Sequence, residues 1–219
     1  MPADTTGGDR KVYIEGRIVD FLDKLASSAP EPGGGSASAL AASIGAALVS
    51  MVANLTVGKQ KYADVQDQIK ELVDNSEKVR GELQSLVQKD TEVYGVLAAA
   101  FKMPRETDSE KAERDQAIQN ACKEATMVPY AIAEQCLEVA KLSEVAADIG
   151  NVNAVSDAGV AALLAEAAAQ CAALNVKINL GTIKDEAFNV EKWDGIQDIL
   201  ARSLELKDKV VMVTYKKLG

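Results

Sequence analysis

The sequence feature that most constrains the fold is a run of small apolar residues at positions 158–176. Glu166 is the only charged residue in this run, which is otherwise built almost entirely of Ala, Leu, Val and Gly. A helix that is apolar on nearly every side belongs inside a domain, and small side chains let neighbouring helices approach closely. Residues 32–58 form a second charge-free run of the same character. The sequence therefore predicts two buried small-residue helices, at about 37–57 and 158–176.

Longer amphipathic helices are predicted around these two. Apolar residues recur in steps of three and four at about 64–101 and again at about 191–217. Thr107 and Glu110 form a capping box for a helix that is expected to kink or restart at Pro129, with a further helix reaching residue 147. A first helix is predicted over residues 14–25, and no segment alternates like a strand.

These patterns predict an all-α helical bundle, in which long amphipathic helices surround the two small-residue helices. We expect residues 13–219 to form a single domain, preceded by a disordered tail at residues 1–12.

The charge and residue inventory excludes several functions. With 24 basic and 33 acidic residues the net charge is −9, which disfavours nucleic acid as a partner. The chain has no histidine, and Cys122, Cys136 and Cys171 lack metal-ligand spacing, so we expect no metal and buried thiols in a reducing compartment. No signal peptide is visible, and the Ala- and Ser-rich run at 32–58 would insert weakly into a bilayer. We therefore expect a cytoplasmic protein that does not bind membranes.

Polar residues cluster just before the second small-residue helix. Asn151, Asn153, Ser156 and Asp157 occupy four of seven positions at its N-terminal end. Ser and Asp are favourable N-cap residues, and the free N–H groups of a helix N-terminus attract polar or anionic ligands. Four such residues exceed what one cap requires. The cluster indicates either helix capping alone or a ligand-binding site.

The first half of the chain has two features that are open to a structural or a functional interpretation. The glycine-rich segment at residues 33–36 either connects two helices or exposes N–H groups that bind an anion. Without a following Gly-Lys-Ser/Thr or a preceding strand, it is neither a Walker loop nor a dinucleotide fingerprint. Asp90 falls on the apolar stripe of the helix at 64–101, where an unpaired carboxylate is costly. It lies either at a solvated bundle end or in a functional pocket.

Five ordered segments resemble one enzyme family. Ala-Pro-Glu-Pro-Gly-Gly-Gly-Ser at 29–36 matches a Pro-Gly-Gly-Gly-Ser signature, and Leu-Thr-Val-Gly-Lys-Gln-Lys-Tyr at 55–62 resembles a Leu-Thr-Ile-Gly-Lys-Lys-Lys-Tyr segment. The other three are Lys-Met-Pro-Arg at 102–105, Gly-Asn-Val-Asn-Ala-Val-Ser-Asp-Ala-Gly-Val at 150–160 and Leu-Asn-Val-Lys-Ile-Asn at 174–179. Together they resemble the cyclodeaminase/cyclohydrolase family of folate one-carbon enzymes, over nearly the whole chain after about residue 19. Gln60 and Arg105 stand where the family pattern usually has lysine.

The resemblance implies an all-helical homodimer with a folate substrate and without a metal or redox cofactor. The expected function is methenyltetrahydrofolate cyclohydrolase, which adds water to the carbon bridging N5 and N10 and yields 10-formyltetrahydrofolate. The alternative is formiminotetrahydrofolate cyclodeaminase, which closes the ring to the same methenyl species and releases ammonia. A different class, a non-catalytic helical scaffold, would not need polar residues at bundle ends or on an apolar stripe.

This chemistry needs a base for water and an acid for the leaving nitrogen. Asp157 and Asp90 are the candidate carboxylates, and Lys61 or Tyr62 could orient water or donate a proton. The folate tail carries carboxylates and needs local positive charge, although loop lysines are ordinarily solvated. The residues expected to bind the substrate are Gly33, Gly34, Gly35, Ser36, Asn54, Lys59, Tyr62, Lys102, Arg105, Asn151, Asn153, Ser156 and Asn179.

Overall fold

The computed structural model describes residues 13–219, which fold into helices and turns without a β-strand. The predicted tail at residues 1–12 lies outside the described residues, and the single-domain boundary stays a prediction. The all-α bundle is confirmed. Its helices are α1 (Ile18–Leu25), α2 (Gly34–Asn54), α3 (Gln66–Phe101), α4 (Asp108–Ile149), α5 (Val155–Leu180) and α6 (Glu186–Leu218), with 3-10 turns at Tyr13–Glu15, Gln60–Val65 and Val152–Ala154.

Helices α2 and α5 are the two small-residue helices, and they pack directly on each other. Gly45 shows why the residues along this contact are small. A Cβ at Gly45 would lie 3.2 Å from the backbone oxygen of Ala161 and 3.3 Å from Cγ1 of Val139. Side chains at this line of contact therefore set how closely the two helices approach.

The remaining helices surround this pair unevenly. Helices α3, α2, α5 and α6 pack in that order, each on its neighbour, and α4 packs against all four. One side of α2 and α5 is left uncovered within residues 13–219. We call this surface the α2/α5 face; it exposes Ile44, Met51, Leu55, Val160, Leu163, Leu174 and Ile178.

Three helix predictions differ from the structure. The predicted restart at Pro129 is wrong, because α4 continues through this buried proline to Ile149, packed against neighbours on both halves. The predicted first helix is a 3-10 turn followed by α1. The last helix begins at Glu186, five residues before the prediction, because Asp185 accepts a hydrogen bond from the Phe188 amide (3.1 Å) and caps it. The Thr107–Glu110 capping box is confirmed.

The start of α5 corrects the capping interpretation of the Asn151–Asp157 cluster. The N-cap position of α5 is Ala154, and no side chain caps this helix. Ser156 and Asp157 therefore lie inside the first turn of α5 and do not act as caps. Asn151 instead caps the preceding 3-10 turn, where its Oδ1 accepts from the Asn153 amide at 3.2 Å.

Two segments of the described chain are long and apolar enough to cross a membrane by length and composition alone, Gly34–Asn54 and Val152–Leu180. In the most apolar window of each, 61% and 50% of the residues are buried in the bundle, and core helices of globular proteins pass the same test.

We expect Ala165→Leu on α5 to destabilise the protein by about 1–3 kcal/mol, because overpacking a close helix contact forces the backbones apart. Ala165 is fully buried in the same core as Ala46 on α2, and Ala46→Leu should act similarly. Urea unfolding followed by circular dichroism would measure the change. Ala201→Leu, at an exposed position of α6, is the matched control, and equal stability of all three variants would contradict close packing.

Candidate functional site

Asp90 sits where α3 passes the N-terminal end of α2. The Ser36 amide donates to Oδ2 of Asp90 at 2.8 Å, and the Ser36 hydroxyl lies 2.9 Å from the same oxygen and 3.0 Å from the Val87 carbonyl. No side chain caps α2 from its own N-cap residue, Gly33. Asp90 thus satisfies one free amide of α2 from a neighbouring helix.

Gly35 allows the carboxylate to come this close. A Cβ on Gly35 would lie 2.1 Å from Oδ1 of Asp90, so any larger residue would displace the carboxylate. Burial raises the pKa of Asp90 above the ordinary aspartate value, and the hydrogen bonds from Ser36 offset part of that rise. Of the two environments predicted for Asp90, the structure therefore shows a pocket and not a solvated bundle end.

A cavity of about 380 Å³ opens beside Asp90. We call it the Asp90 pocket. The loop before α2, the C-terminal half of α3, the middle of α4 and the C-terminal end of α5 all contribute to it. Its volume lies within the range of pockets that hold small organic ligands. The polar residues lining it are Glu31, Asp90, Thr91, Tyr94, Asn175, Asn179 and Thr182, together with the backbone of Gly33, Gly34 and Gly35.

A second set of predicted site residues meets at the opposite end of α2. Asn151 is 5% exposed; its amide donates to Oγ1 of Thr56 at 2.8 Å and its Nδ2 to the Leu55 carbonyl at 3.1 Å. The Tyr62 hydroxyl accepts from the Val152 amide at 3.0 Å and lies 3.5 Å from Oδ1 of Asn151. These bonds hold together the two segments that precede α3 and α5, so Asn151 and Tyr62 have a structural role in the chain itself.

Several residues predicted to bind the substrate or to take part in catalysis are exposed around this junction. Ser156, Asn153 and Lys59 are exposed, and Lys61 places Nζ 5.5 Å from the centre of the Tyr62 ring. Asp157 is half-buried, and its carboxylate forms no hydrogen bond or ion pair within residues 13–219. We call this group the Asp157 end; it comprises Asn54, Lys59, Lys61, Tyr62, Asn151, Asn153, Ser156 and Asp157.

One chain does not bring the two groups together. Asp157 and Asn179 lie near opposite ends of α5, separated by about 33 Å at 1.5 Å per residue. Asp90 and Asp157 therefore do not meet in one protomer. Lys102 and Arg105 are exposed on the turn after α3, at the same end of the bundle as Asp90.

The sequence analysis did not identify Asn175, Glu31 or Tyr94 as site residues. Asn175 lies four residues before Asn179 on α5, so both side chains fall on one helix face, and this spacing is the signal that could have found it. Glu31 and Tyr94 have no such signal, because their place in the cavity depends on how the loop before α2 packs against α3.

A larger cavity of about 560 Å³ lies between α3, α4 and α6, and none of the predicted site residues lines it. One of its carboxylates, Glu144, is paired with Lys209. Within residues 13–219, no group of three or more Cys, Asp or Glu side chains is placed to hold a metal ion.

Comparison with known proteins identifies the family of this chain. A family model described as formiminotransferase-cyclodeaminase matches residues 17–197. The chain belongs to the formiminotransferase-cyclodeaminase family.

Two relatives and one solved structure illustrate the similarity. A methenyltetrahydrofolate cyclohydrolase of Methylorubrum extorquens is 44% identical over 92% of this chain and 97% of its own length. The formimidoyltransferase-cyclodeaminase of Rattus norvegicus is 29% identical over 88% of this chain, which spans only 36% of that longer protein. The crystal structure of formiminotetrahydrofolate cyclodeaminase from Thermotoga maritima has a TM-score of 0.83 at 30% identity, covering 93% of this chain and 98% of that one.

Proposed function

We propose that the protein is a methenyltetrahydrofolate cyclohydrolase, which hydrolyses the 5,10-methenyl bridge of tetrahydrofolate to give 10-formyltetrahydrofolate. The observation that carries the proposal is the position of Asp90, a carboxylate fixed by Ser36 in a cavity of about 380 Å³. The 44% identity to a cyclohydrolase along nearly its entire length supports water as the second reactant.

Asp90 can supply the acid–base steps of this reaction. Water adds to the bridging carbon, its oxygen forms a C–O bond, and one proton passes to the Asp90 carboxylate. The C–N5 bond then breaks as the protonated Asp90 returns its proton to N5. The carbon stays on N10 as a formyl group, and the proton of its hydroxyl leaves to solvent. Before water adds, the ionised carboxylate also stabilises the cationic bridge, so we propose that no metal or redox cofactor takes part.

We further propose that the protein works as a homodimer joined through the α2/α5 face. Leu174 and Ile178 are 72% and 74% exposed on α5, and Ile44 is 48% exposed on the adjoining α2. Large apolar side chains grouped on one surface favour association with another protein surface. The partner that we propose for this face is a second copy of the chain. Ile178, which lines the Asp90 pocket, lies at one end of the face, and Val160, close to Asp157, lies at the other end. A second copy packed on this face could therefore bring the two groups of site residues together.

A two-fold axis across the middle of α5 would complete the site. In a two-fold interface residue i of one subunit meets residue j of the other, and j meets i. Residues 157 and 179 are symmetric about residue 168, so antiparallel packing of two α5 helices would place the Asp157 end of one subunit at the Asp90 pocket of the other. Lys59 and Lys61 of that end would then supply positive charge for the carboxylates of the folate tail.

Formiminotetrahydrofolate cyclodeaminase is the second candidate, because the solved structure that shares this fold at a TM-score of 0.83 bears that name. Its reaction passes through the same kind of tetrahedral carbon between two folate nitrogens, with ammonia as the leaving group. Asp90 could serve it equally as proton donor. We also propose that the enzyme is cytoplasmic. We propose no nucleic-acid partner, because the net charge of −9 disfavours binding to phosphates.

Purified protein is expected to discharge the absorbance band of 5,10-methenyltetrahydrofolate far faster than buffer. The activity should survive exhaustive chelation, since the chain has no histidine to complete a zinc site of the usual kind. Loss on chelation with rescue by one divalent ion would contradict the metal-independent mechanism. Faster growth of the same band from formiminotetrahydrofolate, with ammonia release, would make cyclodeaminase the function.

A further inference from the structure

Two asparagines of the Asp90 pocket are locked in orientation by the protein itself. Nδ2 of Asn175 donates to the Cys171 carbonyl at 2.8 Å, and Nδ2 of Asn179 donates to the Ala125 carbonyl at 2.9 Å. A backbone carbonyl can only accept a hydrogen bond, so the amide nitrogens must face these partners. The Oδ1 atoms are therefore fixed on the other side of each amide.

Both Oδ1 atoms remain available to a ligand. No donor from residues 13–219 reaches either oxygen, neither oxygen is fully buried, and both side chains line the cavity. The amide of Asn175 lies against Gly34, where a Cβ would come within 3.3 Å of Nδ2. Gly34 and Gly35 open α2, and their first-turn N–H groups have no partner within a helix. Fixed acceptors and free donors thus lie side by side in one pocket.

We propose that Asn175 and Asn179 select the amino-substituted pyrimidine edge of the pteridine ring, and this inference rests on the proposed function. That edge presents two donors, the 2-amino group and N3–H, next to one acceptor, the C4 carbonyl. The two Oδ1 atoms accept from the donors, and a first-turn amide of α2 donates to the carbonyl. The pyrimidine end of the folate therefore lies toward α5, with the bridging carbon toward Asp90, and the asparagines are specificity-determining residues.

The experiment compares two ligands by isothermal titration calorimetry. The first is 5-formyltetrahydrofolate, and the second is its counterpart in which the 2-amino group is replaced by oxygen. The replacement turns a donor into an acceptor facing a fixed acceptor, so the wild-type protein should bind the second ligand about 10- to 100-fold more weakly. The double variant Asn175→Leu/Asn179→Leu should bind both ligands within about twofold of each other, because neither oxygen remains.

The ratio of the two affinities separates specificity from structure. A merely structural role would weaken both ligands equally and leave the ratio unchanged, which would overturn the inference. Asn120→Leu, on the exposed side of α4, is the control and should keep the wild-type ratio. A wild-type protein that turns over methenyltetrahydrofolate but does not distinguish the two ligands overturns the inference alone. A protein with neither turnover nor binding overturns the proposed function, and the inference with it.

Discussion

Asp90→Asn is expected to lower the turnover of methenyltetrahydrofolate by about 10²- to 10⁴-fold, the usual loss when a general base is removed. Asparagine keeps the size of the side chain, and its Oδ1 can still accept from the Ser36 amide and hydroxyl. The fold and the folate affinity should therefore be retained. Stopped-flow absorbance measures turnover, and titration calorimetry with 5-formyltetrahydrofolate measures binding.

Glu92→Gln provides the matched control for this variant. Glu92 is a carboxylate on the same helix, paired with Lys89 at 3.7 Å and outside the Asp90 pocket, so its neutralisation should leave turnover unchanged. If Asp90→Asn loses stability but keeps wild-type turnover, then Asp90 only caps α2 from a neighbouring helix. Asp157 would then become the leading carboxylate.

The raised pKa of Asp90 adds a pH signature. A base must be ionised, so kcat/KM should fall as pH drops through a value above the ordinary aspartate pKa of about 3.9. The effect on protein stability has the opposite sign. Because the pKa of Asp90 is higher in the folded state, the protein loses stability as pH rises from the pKa of the unfolded state through that of the folded state. Replacing it with Asn removes that loss, so the stability of Asp90→Asn relative to wild type should improve over the same pH range.

Composition predicted which helices form the core, but not which of their sides are covered. The run at 158–176, with one charge in 19 residues, predicted a helix buried on nearly every side; the structure buries one side of α5 and leaves Leu163, Cys171 and Leu174 exposed. The apolar stripe of α3 likewise predicted an inward position for Asp90, and Ser76 lies on the same stripe. Ser76 is fully buried and bonds to Ser50 at 2.8 Å, and Asp90 bonds to Ser36. A polar residue that breaks an otherwise regular stripe was thus the signal that located the pocket.

Helix ends and the grouping of site residues were not predictable in the same way. Pro129 removes one hydrogen bond from α4, but packing along the helix outweighs that local effect, and sequence propensity does not report packing. Residues of the Asp157 end and of the Asp90 pocket occur together in the family pattern, yet α2 and α5 hold them at opposite ends of the bundle. Which residues share a site then depends on the assembly, which a sequence does not specify.

In the proposed dimer, one end of one subunit and the opposite end of its partner form a single site. Two variants that are each inactive should therefore regain activity when they are combined in one dimer. As homodimers, Asp90→Asn should lose at least about 100-fold in turnover because it lacks the base. Asp157→Asn should lose a similar factor because, in the shared site, its carboxylate stabilises the cationic methenyl bridge. Mixed and allowed to exchange subunits, about half of the dimers become heterodimers. In each heterodimer one site combines the unchanged Asp90 of one subunit with the unchanged Asp157 of the other, while the second site carries both substitutions.

Half of the sites in half of the dimers are then intact, so the mixture should regain about a quarter of wild-type turnover. The control mixes Asp157→Asn with the double variant Asp90→Asn/Asp157→Asn, in which no subunit pairing gives an intact site and no recovery should occur. Differently tagged subunits confirm that exchange has taken place. Heterodimers without recovered turnover would contradict a shared site. Full turnover of Asp157→Asn alone would remove that residue from the chemistry and leave Asp90 to act within its own subunit.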